Sequence, residues 1–400
     1  MKILVLDDEP FVLKLLRHQL AGLGYTQVLA VESPREALGL LEDERRDIDL
    51  LIIDVQMPDI DGVEFVRHLE RINYIGGLVL ISGEDERILR TVEKLAKAHH
   101  LHVLGALSKP IRPEHLKQLL EHSPAHISGA WRVPRPLYGT EELRQAIANG
   151  ELINHYQPQV EIPSGKVIAV EALVRWQHPE DGLVYPDQFI ATAESSGLID
   201  ELTRVVLRNA LTRLRRWLDE KLALKVAVNI SMDNLTTIDF ADFVAHEVEK
   251  FNVPLDRVVL EVTESQLMKD PLKPLDILTR LRLKHIGLSI DDFGTGHSSL
   301  AQLRDIPFDE LKVDRGFIHG AHRYKSLRAI VEASFGMAQH LGMRTIAEGV
   351  EDQDDWDFLV GSSCDLAQGY FIAKPMPAND LSTWVSAWEA RRFELASPGA

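Results

Sequence analysis

A single cysteine in 400 residues, Cys364, rules out an internal disulfide framework. The 16 histidines fall into neither an HExxH pattern nor a Cys/His spacing, so a structural zinc motif is not expected. The local group His99, His100 and His102 reads as solvated surface histidines. No apolar run reaches the ~20 residues that cross a bilayer, and the strand-like Lys2 to Leu6 follows Met1 without a signal-peptide pattern. The expectation is a cytoplasmic protein with no membrane partner. A basic face is missing too. The formal net charge is -17, with 15 Lys+Arg against 21 Asp+Glu in residues 1–122 and 29 against 40 in residues 123–400. Binding of nucleic acid through counterion release needs clustered Lys and Arg, and neither such a cluster nor a helix-turn-helix pattern is present, so DNA is not an expected partner. An anionic ligand would have to be received through bound cations.

What is present describes a folded chain: 45% of residues are hydrophobic and 26% charged. Its length suits two domains. Residues 1–122 alternate short apolar runs with helix-spaced patterns. Ile3-Leu4-Val5-Leu6 is followed by Phe11, Val12, Leu15, Leu16, Leu20 and Leu23, then by Leu50-Leu51-Ile52-Ile53, Leu78-Val79-Leu80-Ile81 and Val103-Leu104. This predicts a doubly wound parallel sheet with ligands at the carboxyl ends of its strands. Residues 123–140 contain three prolines and no helical period, and are expected to be a linker. A helix over Glu141 to Asn149, closed by Gly150, opens a second α/β series running to residue 395. Strands are predicted at 155–159, 168–175, 225–231, 257–263, 287–292, 310–313, 345–348 and 365–371, mostly separated by amphipathic helices such as Glu201 to Glu220. Eight strands over ~250 residues fit a TIM-like (β/α)8 barrel, whose functional face is again the carboxyl end of the strands.

Three features of the first domain fall at strand ends: Asp7-Asp8, Asp54 and Lys109-Pro110. Clustered carboxylates repel unless a divalent cation lies among them, and a carboxylate beside such a cation, balanced by Lys, is suited to accept a phosphoryl group. Asp7-Asp8, Asp54, Met57-Pro58, Asp61-Gly62, Ser82 and Lys109-Pro110, in this order, resemble the response-regulator receiver family over residues 1–122. The resemblance implies Asp54 as phosphoacceptor, Asp7 and Asp8 as ligands of one Mg²⁺ or Mn²⁺, Ser82 and Lys109 as phosphoryl contacts, and a sensor histidine kinase as partner. Ala106 stands where receivers usually carry an aromatic switch residue.

In the second domain, acidic and amide residues recur at strand ends: Glu171, Asn229, Glu261 with Glu264, Asp291 with Asp292, and Glu348 with Glu351. On a barrel these line one mouth. So many oxygen-bearing side chains require either protonation or two divalent cations, a common arrangement for splitting phosphodiesters. Period-two alternation places Glu171, Leu173 and Arg175 on one strand face. Lys312 adds a positive group that could serve a metal-bound water, although a lysine considered alone reads as a solvated surface residue.

Glu171-Ala172-Leu173-Val174-Arg175-Trp176 carries the tripeptide that names the EAL family. It stands with Tyr156-Gln157-Pro158, Asn229-Ile230-Ser231, Glu261-Val262-Thr263-Glu264, Asp291-Asp292-Phe293-Gly294-Thr295-Gly296, Lys312-Val313-Asp314-Arg315, Ala347-Glu348-Gly349-Val350-Glu351 and Gln368-Gly369-Tyr370. Residues 141–395 are accordingly identified as an EAL domain, and the whole chain resembles receiver–EAL regulators. The resemblance implies hydrolysis of cyclic di-GMP to linear pGpG. Two Mg²⁺ or Mn²⁺ ions would be held by Glu171, Asn229, Glu261, Asp291, Asp292 and Glu348, and Lys312 would serve the attacking water. Gln157, Arg175, Gln368 and Glu351 would contact substrate or support its pocket. Glu264 would anchor the Gly- and Ser-rich loop after Asp292, where His297 replaces the family's usual Tyr, and the barrel would associate with a second copy. A rival expectation is a catalytically inactive EAL domain that serves as a cyclic di-GMP receptor; the intact acidic set and Lys312 weigh against it.

Overall fold

The computed structural model describes residues 1–44, 48–72, 74–83, 86–99, 101–121, 138–263, 272–294, 303 and 306–395. The chain divides into two compact units, Met1–Pro136 and Leu137–Ala400.

In the first unit, five strands, β1 (Lys2–Leu6), β2 (Gln27–Val31), β3 (Leu50–Asp54), β4 (Gly77–Ser82) and β5 (His102–Ser108), form one sheet in the order β2-β1-β3-β4-β5. All its pairings are parallel. The apolar runs explain why: Ile3 to Leu6 and Leu50 to Ile53 are fully buried, and alternate residues feed two different cores. Leu4, Leu6, Leu51 and Ile53 pack on one face, Ile3, Val5, Leu50 and Ile52 on the other. Helices α1 (Pro10–Gly22), α2 (Pro34–Glu44), α3 (Gly62–Arg71) and α4 (Glu86–Ala98) link the strands, and α5 (Pro113–Glu121) follows β5. Asp61 caps α3 by accepting the Glu64 N–H at 2.8 Å. The strand order reverses between β1 and β3, which places Asp7 and Asp54 at the switch point where such sheets bind ligands.

The second unit begins with α6 (Thr140–Asn149), ended by Gly150 at φ 73°. Its strands are β6 (Leu152–Glu161), β7 (Val167–His178), β8 (Gly182–Val184), β9 (Lys225–Asn229), β10 (Val258–Thr263), β11 (Gly287–Phe293), β12 (Glu310–Val313), β13 (Arg344–Ala347), β14 (Leu366–Ala367) and β15 (Met376–Pro377). Eight of them close a ring in the order β6-β14-β13-β12-β11-β10-β9-β7, with β7 returning to β6; β8 and β15 are additions outside it. The ring is a TIM-like barrel with one inversion, because β6 runs antiparallel to both β7 and β14. The helices are α7 (Ile190–Ser195), α8 (Ile199–Asp219), α9 (Phe240–Lys250), α10 (Leu272–Leu283), α11 (Arg315–Ile318), α12 (Lys325–His340), α13 (Gln353–Val360) and α14 (Ala378–Leu395). On α8 the buried stripe Leu202, Val206, Leu207, Ala210, Leu211, Leu214 and Trp217 has the three-and-four spacing of one helix face turned to a core. Among the described helices none is long and apolar enough to cross a membrane.

Strand candidates from the sequence coincide with ring strands to within a few residues, except the last: 365–371 contracts to Leu366–Ala367, after which the chain turns away. Residues 122–137, covering most of the expected linker, lie outside the described residues, as do Glu264 and His297.

Candidate active site

At the carboxyl end of the ring, the site is organised around Lys312. Its side chain is fully buried, and its Nζ lies 2.7 Å from Glu348, 3.0 Å from Glu261, 3.2 Å from Asp291 and 3.4 Å from Glu171. A lysine on β12 that reads as solvated from sequence alone is thus the hub of four acidic residues from β7, β10, β11 and the segment after β13. Burial opposes its charge, but the surrounding carboxylates outweigh that and hold its pKa well above the ordinary value.

Two consecutive aspartates cannot face one site from a regular strand, because successive side chains point to opposite faces. The pairing of β11 with β12 shifts register between Ile290 and Phe293, and Asp292 adopts φ 55° in the left-handed region. The irregularity turns both carboxylates toward the mouth. One oxygen each from Glu171, Glu261 and Asp291 lies within 4.8 Å of the others, and so do oxygens of Asp291, Asp292 and Glu348. These two trios share Asp291. Glu261 Oε1 is buried without a hydrogen-bond partner among the described residues, an arrangement that a cation would satisfy. The donor set is therefore all oxygen, suited to hard divalent cations.

Amides orient Glu171. Asn229 Nδ2 donates to its Oε1 at 2.8 Å and Gln368 Nε2 to its Oε2 at 2.6 Å. Gln368 also donates to Gln157 Oε1 at 3.0 Å, accepts from Gln159 at 2.9 Å, and Gln157 donates to the Ala373 carbonyl at 3.0 Å. Gln157 sits directly opposite Glu171 in the β6–β7 register, which explains how the chain of amides reaches it. Gln159, absent from the sequence-derived site, carries the alternation one step further along β6.

Burial works against the charged form of Glu171, yet Lys312 and the amide donors outweigh it and lower its pKa. For Glu261, burial prevails and raises the pKa well above the usual carboxylate range. Burial also dominates at Glu348, and with Asp291 and Glu171 nearby it pushes the pKa up to about 8 despite Lys312. Asp292 rises to about 6 through burial and the charges of Asp291 and Asp314. The folded chain therefore keeps a proton on Glu348 that the unfolded chain releases near 4.5, and the stability this proton contributes declines as pH rises from about 4.5 to about 8. Cation binding must displace the same protons. The apparent affinity for divalent cations is expected to rise between about pH 6 and pH 8, by at most about tenfold per pH unit for each proton displaced. Calorimetric titration at several pH values checks this, and a flat profile would separate the cation from Glu348.

A cavity of ≈ 250 Å³ opens above the acidic cluster, lined among others by Gln157, Glu171, Asp292, Glu348, Glu351 and Gln368. Leu173, Asp314, Arg315 and Tyr370 line it too, although the sequence assigned them no role. Gly349, at φ 65°, lets the Glu348 segment pass Arg315: a Cβ there would come within 2.1 Å of Arg315 Cβ. Arg175 does not line the cavity; its guanidinium lies 5.0 Å from the Tyr185 ring centroid, and Nη1 donates to the Val174 carbonyl at 2.7 Å. A second, more apolar cavity of ≈ 240 Å³ adjoins, sharing Leu173 and walled by Ile190, Ile199, Leu202 and Val206.

In the first unit, Lys109 Nζ lies 2.7 Å from Asp54, 3.0 Å from Asp7 and 3.1 Å from Glu9. Against the burial that opposes it, these carboxylates raise the Lys109 pKa, while burial raises that of Asp7. Oxygens of Asp7, Asp8 and Asp54 fall within 4.8 Å of one another. Ser82 ends β4, fully buried, and its carbonyl accepts the Lys109 N–H at 2.8 Å. Ala106 is partly buried on β5.

A parallel sheet with an acidic switch point and an inverted barrel with a lysine-centred acidic mouth define a receiver joined to a barrel phosphodiesterase fold. Residues 3–121 match the response regulator receiver domain and residues 140–375 the EAL domain, and the chain belongs to the EAL domain family. It is 30% identical over 391 residues to "Cyclic di-GMP phosphodiesterase RocR" of Pseudomonas aeruginosa, covering 96% of this chain and 99% of that protein. It is 42% identical over 268 residues to "Cyclic di-GMP phosphodiesterase NbdA" of the same species, covering 67% of this chain but only 34% of that one. Among solved structures, "PaMucR Phosphodiesterase, c-di-GMP complex" is 41% identical, with a TM-score of 0.58 over 60% of this chain and 98% of that one.

Proposed function

We propose that this chain is a response regulator whose output is hydrolysis of cyclic di-GMP to linear pGpG. The carrying observation is the convergence of Glu171, Glu261, Asp291 and Glu348 on Lys312, with Asp292 completing a second acidic trio. Similarity along nearly the full length of a receiver–EAL phosphodiesterase supports it. Two divalent cations, Mg²⁺ or Mn²⁺, held by Glu171, Asn229, Glu261, Asp291, Asp292 and Glu348, would supply charge stabilisation and an activated water for phosphodiester cleavage. Lys312 keeps the acidic residues gathered and would serve that water with a fixed positive charge. The Gln157–Gln368–Glu171 amide chain holds the first carboxylate in one orientation, so that little reorganisation is needed during reaction. Gln157, Gln368 and Glu351 present polar groups to a dinucleotide in the cavity, and Arg175, placed over the Tyr185 ring, would support the pocket.

In the receiver, Asp54 accepts the phosphoryl group from a sensor histidine kinase, Asp7 and Asp8 hold one cation, and Ser82 and Lys109 contact the phosphoryl oxygens. The domain limits are taken as 1–122 for the receiver, 123–140 for the linker and 141–395 for the EAL domain. The protein acts in the cytoplasm and associates through its EAL domain.

Incubating the purified chain with cyclic di-GMP and Mg²⁺ or Mn²⁺ and separating the products tests the central claim. We expect pGpG, no turnover in excess chelator, and inhibition by Ca²⁺, whose 6–8 oxygen coordination suits a compact centre poorly. Binding without hydrolysis would make the domain a receptor. Beryllofluoride is expected to raise the rate by no more than ~5- to 150-fold. Asp54→Ala is expected to abolish this response, and equal responses in the two proteins would leave the receiver as a docking module.

A further inference from the structure

Part of the catalytic cavity is walled by two segments that follow different strands. Asp314 and Arg315 come after β12 and open α11, while Glu348, Gly349 and Glu351 come after β13. Helix α11 is a single turn, Arg315–Ile318, far below the length at which a helix is stable by itself, so its place depends on neighbours. The two segments meet at Gly349 and Arg315, and they are joined a second time through Asp355 of α13, a fully buried residue outside the cavity lining. Its Oδ1 accepts the Gly320 N–H from the turn after α11 at 3.1 Å. Its Oδ2 accepts the Glu351 N–H at 3.2 Å and lies 2.8 Å from His319 Nδ1. The Asp355 backbone is itself fixed, because Asp352 Oδ1 accepts its N–H at 2.9 Å. Burial opposes the charge of Asp355, but His319 and the two backbone N–H groups outweigh it and lower the pKa.

We propose, on the reading of the cavity as the cyclic di-GMP site, that Asp355 is a positioning residue for substrate: its two oxygens clamp the α11 turn to the Glu351 segment and so set how Arg315 and Glu351 face the ligand. A carboxylate suits this task because both its oxygens accept, one taking an N–H from each segment. An amide in the same place offers one acceptor and turns an NH₂ group toward the other N–H. Burial removes water as a substitute acceptor, so a lost bond is not replaced. His319 supplies the counter-charge from a half-exposed position and fixes the rotation of the carboxylate. Glu348 is anchored separately, since its N–H bonds the Val313 carbonyl at 3.1 Å and the Val350 N–H bonds the Gln368 carbonyl at 3.1 Å. Glu171, Glu261 and Asp291 are carried by β7, β10 and β11. Loosening Asp355 therefore disturbs the substrate side of the cavity and spares the acidic centre.

Steady-state hydrolysis of cyclic di-GMP by the full chain in saturating Mg²⁺, with hydrogen exchange at the Gly320 and Glu351 amides, provides the test. Asp355→Asn should raise KM about tenfold or more, keep kcat within about threefold and leave the Mg²⁺ half-saturation point unchanged. Exchange at one or both amides should quicken. A purely structural defect would instead lower kcat through a smaller folded fraction, at unchanged KM. His319→Leu keeps the test decisive if Asp355→Asn does not fold, because it opens no core; it should raise KM about threefold or more, and His319→Asn, which restores an N–H donor, should return KM toward wild type. An unchanged KM in Asp355→Asn, or in His319→Leu where only that variant folds, would overturn the proposal, as would a loss confined to kcat. A wild type that forms no pGpG would instead overturn the proposed reaction. Asp355 is then judged by equilibrium binding of cyclic di-GMP, where Asp355→Asn should lose about tenfold in affinity and an equal affinity would refute it.

Discussion

Replacing Lys312 with methionine is expected to abolish turnover and to destabilise the cation-free protein, with the second effect largely reversed by Mg²⁺. The ammonium group is fully buried among four acidic residues at 2.7–3.4 Å. Methionine fills comparable volume but leaves those groups without a counter-charge. Removing one partner from a buried ionic cluster costs ~3–5 kcal/mol, softened here because Glu261 and Glu348 already favour their protonated forms. At ~2–4 °C per kcal/mol for a domain of this size, melting in chelator should fall by roughly 6 to 20 °C. Divalent cations would replace the missing charge and narrow the gap. Turnover should drop at least ~100-fold, the lower end for loss of a group serving a reacting water. Calorimetry with and without Mg²⁺, alongside pGpG formation, measures both, and unchanged melting in chelator would remove Lys312 as the balancing charge.

Glu171→Ala should also abolish turnover, with a smaller loss of stability. Lys312 and the amides favour the ionised carboxylate in the folded chain, so removing it forfeits that contribution and leaves the Asn229 and Gln368 amides without this acceptor. Reduced crowding of negative charge around one ammonium offsets part of the loss. Melting in chelator should therefore fall, but by less than in Lys312→Met, and the gain on adding Mg²⁺ should shrink, because a ligand is missing. Loss of a supporting partner alone costs ~10–100-fold in metal affinity, so loss of a ligand should cost at least ~100-fold. Paired with Lys312→Met, this variant separates loss of a ligand from loss of the balancing charge, since both are inactive but Mg²⁺ restores stability mainly to Lys312→Met. A Glu171→Ala protein with wild-type metal affinity would take Glu171 out of the coordination set.

How far the site could be read depended on what each residue's role requires. Leu50 to Ile53 announced a strand buried on both faces because such a strand has no polar face to reveal. The acidic residues were recognisable because most lie in or just after the carboxyl halves of strands, and strands can be located from apolar runs, although Glu171 sits inside the long β7. Strand direction could not be: alternation is the same whichever way a strand runs, so the antiparallel β6 was invisible, and with it the opposition of Gln157 to Glu171. Nor does a pair of adjacent aspartates disclose that a register break turns both to one mouth.

By itself the sequence determined the two α/β series, most of their strands, though not β2, β8 or β15, and the acidic character of both sites, because burial patterns and residue chemistry are local properties. Only the tertiary structure decided that Lys312 is the buried hub and not a surface lysine, that Arg175 stacks on Tyr185 outside the cavity lining, and that His319 and His322 meet Asp355. Each depends on which distant segments ring closure brings within bonding distance, and a one-dimensional pattern does not carry that information.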